Sequence, residues 1–305
     1  MGCNSPLLGY KAVGGGFTFD IKKSDCQEHM EVPCRQCVGC RIGRVREWAI
    51  RNTHETQMHE KSCFLTLTYA PEYLPENGSL VKKHLQDFIK RLRKQTGIKL
   101  RYYACGEYGE KFSRPHYHAL IYGYDFPDKT RANRIAGNVY YVSEELSKIW
   151  KFGHSSIGTA TFQSAAYIAR YVTKKMYGDK SKDHYERINE ETGEVIHLTP
   201  EFTTMSLKPG IGAPWFEKYH GDIFPSDEVV IEGRKFRVPE YYFTLLERCN
   251  PCLHELMVDK RREFVRTNKE ELGTGENTFE RMLQKETCAI AKLENKLQRS
   301  YEKTI

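Results

Sequence analysis

The stretch Arg114-Pro115-His116-Tyr117-His118-Ala119-Leu120-Ile121-Tyr122 decides how the rest of the chain is read. Its β-formers, bounded by Pro115 and Gly123, predict a strand. Successive side chains of a strand point to opposite faces, so His116 and His118 project from one side. Two imidazoles fixed side by side are half of a divalent metal site; a bare His-x-His equally fits a solvated strand face. Glu107 favours the metal. It ends a second strand-like run that begins Leu100-Arg101-Tyr102-Tyr103-Ala104-Cys105, and the residues from Gly109 through Glu110, Lys111 and Phe112 to Ser113 supply a loop. The two runs therefore read as a hairpin that brings the carboxylate beside the imidazoles. Two histidines and one carboxylate leave coordination positions open, which a catalytic metal needs and a structural one does not.

Working outward, Ser62-Cys63-Phe64-Leu65-Thr66-Leu67-Thr68-Tyr69 is a β-rich run buried on at least one side, expected at the centre of a sheet. Leu85, Phe88, Ile89 and Leu92 then recur at helical spacing within about 81–94. Strand, helix, strand, strand is half of a split β-α-β layout. The expected fold class is α+β: an antiparallel sheet with helices packed on it and a mixed α/β C-terminal extension. A further helix is expected over 38–60, with Ile42, Val45, Trp48 and Ala49 as its buried stripe. Arg41, Arg44 and Arg51 lie mostly off that stripe, on a solvated face or one that contacts phosphates. Residues 125–138 read as a loop, 139–142 as a short strand, and Ser143 as the cap of a helix reaching Trp150. A strand is expected around 154–158, and hairpins within 183–206 and 228–238.

At 305 residues the chain holds one large core, or one core and a modest second domain. Three regions are expected: an N-terminal segment over 1–60 with a cysteine cluster and a basic helix, a core over 61–180, and an extension over 181–305 ending in a charged helix. There are 47 Lys and Arg against 40 Asp and Glu, a net charge of +7, compatible with a nucleic-acid partner but not diagnostic of one. No apolar run approaches the ~20 residues that cross a bilayer. The N-terminus lacks an apolar signal region, and Pro6 breaks the myristoylation pattern, so a cytoplasmic location without a membrane partner is expected. Of ten cysteines only Cys34-x-x-Cys37-x-x-Cys40 and Cys249-x-x-Cys252 cluster. In a cytosolic chain the first spacing fits thiolate ligation of zinc, with Cys3, Cys26 or His29 as fourth ligand, or a reduced, tightly turned segment without metal. The second, with no partner to assign, reads as a plain turn.

A helix beginning near Ser164 carries Tyr167 and Tyr171 one turn apart, with Lys174 one turn further on nearly the same face. Such pairs are commonly packing residues. They also fit a second role. A phenol with pKa of about 10 is a weak nucleophile at neutral pH and needs activation. A metal polarising a phosphate oxygen and a cationic lysine stabilise the charge that develops at phosphorus.

Three ordered motifs now stand together: Phe64-Leu65-Thr66-Leu67-Thr68-Tyr69, Gly106-Glu107-Tyr108-Gly109 leading into Arg114-Pro115-His116-Tyr117-His118, and Tyr167-x-x-x-Tyr171-x-x-Lys174. They resemble the motifs of HUH endonucleases, the rolling-circle replication initiators, in the two-tyrosine form. Val32-Pro33-Cys34-x-x-Cys37-x-x-Cys40-Arg41 and Trp48-Ala49-Ile50-Arg51 are similar to initiators of small single-stranded DNA phages of the gokushovirus type. The resemblance spans roughly residues 30–180. It implies an RRM-like, ferredoxin-type sheet with the histidines on a central strand, and Mg²⁺ or Mn²⁺ between Glu107, His116 and His118, with Glu110 as the alternate acid. It implies that one tyrosine nicks one strand at the origin of the double-stranded replicative form and keeps the 5′ end as a phosphotyrosine. The second tyrosine acts after one round, and the freed 3′ hydroxyl closes a circle. Arg41, Arg44, Arg51 and Arg114 are the DNA-binding candidates. Tyr117 replaces the bulky aliphatic residue of the motif and is expected only to pack. No phosphate-cradling Gly-x-x-x-x-Gly-Lys-Ser/Thr loop occurs, so a host helicase is expected as partner in a bacterial cytoplasm. Two other readings remain: a non-catalytic, zinc-stabilised DNA-binding module, and a metal hydrolase of small phosphoesters, which would not need two tyrosines.

Overall fold

The computed structural model describes residues 2–14, 16–109, 112–135, 138–174, 185–188, 193–271 and 278–302. The chain divides into two compact units, one formed by residues 1–44 with 255–305 and the other by residues 45–254. It is an α+β protein, as the element order predicts.

The first unit opens with β1 (Leu7–Ala12), β2 (Phe17–Thr18) and β3 (Ser24–Val32), which form a small antiparallel sheet in the order β2-β1-β3. Helix α1 (Val38–Gln57) follows and runs on into the second unit. Its buried face differs from the apolar stripe expected. Ala49 and Ile50 are buried, but so are Asn52, His54 and Glu55, while Ile42, Val45 and Trp48 are only half-buried. Periodicity in apolar residues cannot find a polar face, and this one is held by hydrogen bonds to its carboxylate and amide oxygens. Glu55 accepts from Arg101 Nε at 2.5 Å and from the Gly212 amide at 2.7 Å, and Asn52 Oδ1 accepts from Tyr122 Oη at 2.8 Å.

In the second unit, β4 (Ser62–Tyr69) alternates buried and half-buried residues along its length. Leu65, Leu67 and Tyr69 face α2 (Lys82–Thr96), whose Leu85, Phe88, Ile89 and Leu92 are buried against them. Burying four such side chains contributes about 1.5–3 kcal/mol each, enough to fix which face of the sheet α2 covers. Gly97 ends α2 in the left-handed conformation (φ 68°), its amide donating to Arg93 O at 3.0 Å. The hairpin β5 (Arg101–Tyr108) and β6 (Pro115–Tyr122) forms as expected. Then come β7 (Thr130–Ile135), β8 (Asn138–Val142), α3 (Glu144–Ile149), β9 (Gly153–Thr159) and α4 (Phe162–Lys174). The segment read as a loop thus contains a strand, β7, whose Thr-Arg-Ala-Asn-Arg-Ile sequence lacks apolar alternation because it lies at the sheet's edge. Ser143 does cap α3, accepting from the Leu146 amide at 3.0 Å.

Beyond α4 the elements are β10 (Glu186–Ile188), β11 (Val195–His197), β12 (Phe202–Met205), α5 (Ala213–Ile223), β13 (Glu228–Ile231), β14 (Arg234–Arg237), α6 (Glu240–Cys249), α7 (Pro251–Glu271) and α8 (Phe279–Glu302). The pairs β10-β11 and β13-β14 are the two hairpins expected. The large sheet has seven strands in the order β12-β5-β6-β4-β9-β8-β7, and its pairs are antiparallel. The strand bearing the histidines, β6, therefore lies between β5 and β4, inside the sheet. Among the described residues no helix is long and apolar enough to cross a membrane.

Candidate metal and tyrosine site

Strand register builds the site. Glu107 pairs with His116 across β5-β6, His116 with Thr68 across β6-β4, and Thr68 with His154 across β4-β9. The next row on the same face is Cys105, His118, Thr66 and Ser156. Both imidazoles turn Nε2 toward one carboxylate oxygen: Glu107 Oε1 lies 2.7 Å from His116 Nε2 and 2.9 Å from His118 Nε2.

The far side of each ring is also held. His116 Nδ1 is 3.1 Å from Arg114 O and His118 Nδ1 is 3.0 Å from Thr66 Oγ1. A carbonyl only accepts, so Nδ1 of His116 carries a hydrogen, and the neutral ring then offers a lone pair at Nε2. A lone pair aimed at a carboxylate oxygen is repulsive unless a proton or a cation sits between them. Glu107 is 2% exposed, and its second oxygen, Oε2, is buried without a hydrogen-bond partner among the described residues. Burial alone would raise its pKa; with protons rather than a cation at the two Nε2 atoms, hydrogen bonds from His116 and His118 outweigh that and hold it below the usual carboxylate range. Two imidazole nitrogens and an ionised carboxylate with a spare lone pair, all within 4.8 Å of one another, fit a divalent cation.

Helix α4 crosses this face of the sheet. Ala165 and Ile168 pack with Tyr103, Cys105, Leu120 and Tyr122, which places the Tyr167 ring edge-on to His118 with centroids 5.0 Å apart. Tyr167 is half-buried, and Arg170 lies over its ring at 5.9 Å. The helix starts at Phe162, just before the Ser164 expected near its beginning. Thr161 Oγ1 accepts from the Ser164 amide at 3.1 Å, and Ser164 Oγ accepts from the Thr161 amide at 2.8 Å. That is a reciprocal capping box with serine in the third helical position. Tyr171 and Lys174 belong to α4, but their side chains lie outside the described residues, as does Glu110.

The four arginines fall in different settings. Arg114 is half-buried beside the histidines, with Nε buried and without a hydrogen-bond partner among the described residues. Arg51 is committed to packing: its guanidinium lies 4.0 Å from the ring centres of both Trp48 and Tyr241 and donates to Ile211 O at 3.0 Å. Arg41 and Arg44 are half-buried on α1 in the first unit.

Tyr117 does more than pack. Fully buried, its hydroxyl accepts from the Val81 amide at 3.0 Å, donates to Val81 O at 2.9 Å and lies 2.7 Å from Tyr69 Oη. Thr66 and the Arg114 carbonyl, which orient the two rings, were missed in the sequence. Thr66 shares its strand face with Thr68, and that alternation was the available signal; a backbone carbonyl leaves none.

In the first unit the Sγ atoms of Cys3, Cys34, Cys37 and Cys40 also lie within 4.8 Å of one another. Cys3 is thus the upstream thiol that joins the cluster. His29 packs against Tyr10, and the Cys26 side chain lies outside the described residues. Cys249 and Cys252 are exposed, at the end of α6 and the start of α7.

Fold and site define a class: an antiparallel-sheet protein that presents two histidines and a glutamate from adjacent central strands beneath a tyrosine-bearing helix. A family model described as replication-associated protein ORF2/G2P matches residues 62–176, which hold all of these elements. The chain is 34% identical over 262 residues to replication-associated protein VP4 of Bdellovibrio phage phiMH2K, covering 82% of this chain and 79% of that one. It is 35% identical to replication-associated protein ORF2 of Spiroplasma virus 4, covering 71% and 68%, and 29% identical to replication-associated protein ORF4 of Chlamydia phage 1, covering 71% and 54%. The chain belongs to this family of phage replication-associated proteins. No solved structure matches it.

Proposed function

We propose that the protein initiates rolling-circle replication as a metal-dependent, tyrosine-nucleophile DNA endonuclease and strand transferase. The observation that carries this reading is the convergence of both histidine Nε2 atoms on Glu107 directly beneath Tyr167. Membership in the replication-associated family supports it.

A divalent ion such as Mg²⁺ or Mn²⁺, held by Glu107, His116 and His118, supplies polarisation of a phosphate oxygen and charge neutralisation. The chain's own groups do the rest. Arg114 Nε, buried and next to the histidine strand, is a donor suited to a phosphate oxygen. The phenolic oxygen of Tyr167 or Tyr171 forms a bond to phosphorus, the bond from phosphorus to the 3′ oxygen breaks, and the phenolic proton is balanced by the 3′ hydroxyl released. Lys174, one turn beyond Tyr171, stabilises the charge developing at the phosphoryl group. The phosphodiester's bond energy is kept in the phosphotyrosine, so the later attack of a 3′ hydroxyl on it rejoins the ends and frees the tyrosine. Recognition of the phage origin, in single-stranded or locally melted form, and unwinding by a host helicase complete the cycle in the bacterial cytoplasm.

The test is nicking of single-stranded oligonucleotides tiled across the protein's own replicon, with Mn²⁺ present. His116→Ala and His118→Ala should each lower the rate by at least about a hundredfold, the scale of losing one strong electrostatic or ligand contribution, while retaining DNA binding. Unchanged nicking in both would remove the metal site from the reaction. Binding without nicking by the wild-type chain would leave a DNA-holding module.

A further inference from the structure

We infer that Cys3, Cys34, Cys37 and Cys40 form a structural tetrathiolate zinc site that fastens the chain's first residues to the start of α1. The donor geometry points to a tetrahedral ion. With zinc–sulfur bonds of about 2.3 Å, the sulfurs of a tetrahedral site lie about 3.8 Å apart. Cys3 Sγ is 3.5 Å from Cys34 Sγ and 3.8 Å from Cys37 Sγ, and all four sulfurs fall within 4.8 Å. These separations far exceed the ~2.05 Å of a disulfide. Four thiolates with no histidine or carboxylate among them suit zinc and leave no open position for chemistry.

A second set of contacts is independent of the sulfur spacing. The amides of Asn4 and Cys40 point at Cys37 Sγ at 3.2 and 3.5 Å, that of Cys34 at Cys3 Sγ at 3.2 Å, and that of Cys37 at Cys34 Sγ at 3.2 Å. Backbone donors aimed at sulfur stabilise thiolate over thiol, the form a metal requires.

The site holds together segments that are remote in sequence. Asn4, 6% exposed, accepts from the Gly39 amide at 3.1 Å and donates to Met282 O at 3.3 Å, while the Val38 amide donates to Glu286 Oε1 at 3.3 Å. Residues from both ends of the chain thus satisfy the orphan amides that open α1. Gly39 sits in the closest approach: a Cβ there would meet Gly2 O at 2.2 Å and Asn4 Oδ1 at 2.3 Å. A side chain at 39 pushes Cys3 out of ligand range.

The test counts metal without DNA, so its outcome is separate from that of nicking. The full-length chain carrying His116→Ala and His118→Ala, which removes the other donor set, should purify with one zinc per chain by elemental analysis. Replacing zinc with Co²⁺ should give the strong sulfur-to-cobalt charge-transfer absorption of a tetrahedral tetrathiolate. Cys3→Ser and Gly39→Ala should weaken cobalt binding at least tenfold and shift that spectrum, whereas Cys249→Ser should change neither. If those variants fail to fold, stoichiometric zinc release by a mercurial from the His-substituted chain, with four thiols consumed per zinc, carries the same test. A metal-free chain whose four thiols react freely, or a Cys3→Ser chain with unchanged zinc content and cobalt spectrum, overturns the assignment.

Discussion

At the scale of single residues, two buried polar side chains of the site-bearing unit make quantitative predictions. His54 is 2% exposed, stacked on Trp215 with ring centres 3.6 Å apart, and 3.0 Å from Tyr242 Oη. Burial pushes its pKa down from 6.5 to about 3. The unfolded chain therefore takes up a proton below pH 6.5 that the folded chain refuses until about pH 3. The stability linked to His54 is complete above pH 6.5 and is lost as the pH falls toward 3. Between about pH 7.5 and about pH 5.5 the wild-type unfolding free energy should drop by about 1.4 kcal/mol more than that of His54→Phe, measured by urea denaturation. Equal slopes for the two chains would mean that His54 is protonated in the fold. Tyr117→Phe removes the acceptor and donor that hold the Val81 backbone and should cost about 1–3 kcal/mol in the same assay. An unchanged midpoint would mean that the ring alone matters. Neither residue's role was legible beforehand. The aromatic at 117 reads as packing, and the phenol's partners on Val81 come from an element far away in the sequence.

At the scale of elements, the sequence announced the parts of the site whose pattern is local. The β4 alternation and the α2 stripe each mark one buried face, the β5-β6 hairpin is buried on both, and a one-residue slip would turn Glu107 or the histidines to the wrong side. That is why the position of Glu107 beside the two histidines was legible. The polar face of α1, the edge strand β7 and the pairing of β12 with β5 were not. The first hides in residues that read as solvated, the second lacks apolar alternation, and the third depends on a partner remote in sequence. The start of α4 shows the same limit. Two hydroxyl residues, Thr161 and Ser164, fit a cap equally well, and only the reciprocal bonds distinguish them. Thr161→Ala should lower the unfolding free energy by about 1 kcal/mol, the usual value of an N-cap, and slow nicking by loosening the helix that seats Tyr167. A stability loss with full nicking activity would separate the cap from the positioning of the tyrosine.

At the scale of the molecule, a seven-stranded antiparallel sheet carries α2 against one face and the histidines, Glu107 and α4 on the other. The candidate site residues thereby come from β5, β6 and a helix that crosses them. Central strands hold Glu107, His116 and His118, and the tyrosines ride on a separate element, an arrangement that suits the proposed reaction, in which a nucleophile must keep a DNA end while the metal donors remain in place. The net charge of +7 adds attraction for a polyanion without specifying sequence.

The measurement that tests the central claim most directly uses single-stranded oligonucleotides from the protein's own replicon, labelled at the 3′ end. After incubation with the protein and Mn²⁺ they are resolved on a denaturing gel. The label should migrate with the protein, and it should be absent with His116→Ala and with Tyr167→Phe combined with Tyr171→Phe. Nicked DNA with no protein-linked label, or adducts that survive the double tyrosine substitution, would contradict the assignment of these tyrosines as nucleophiles.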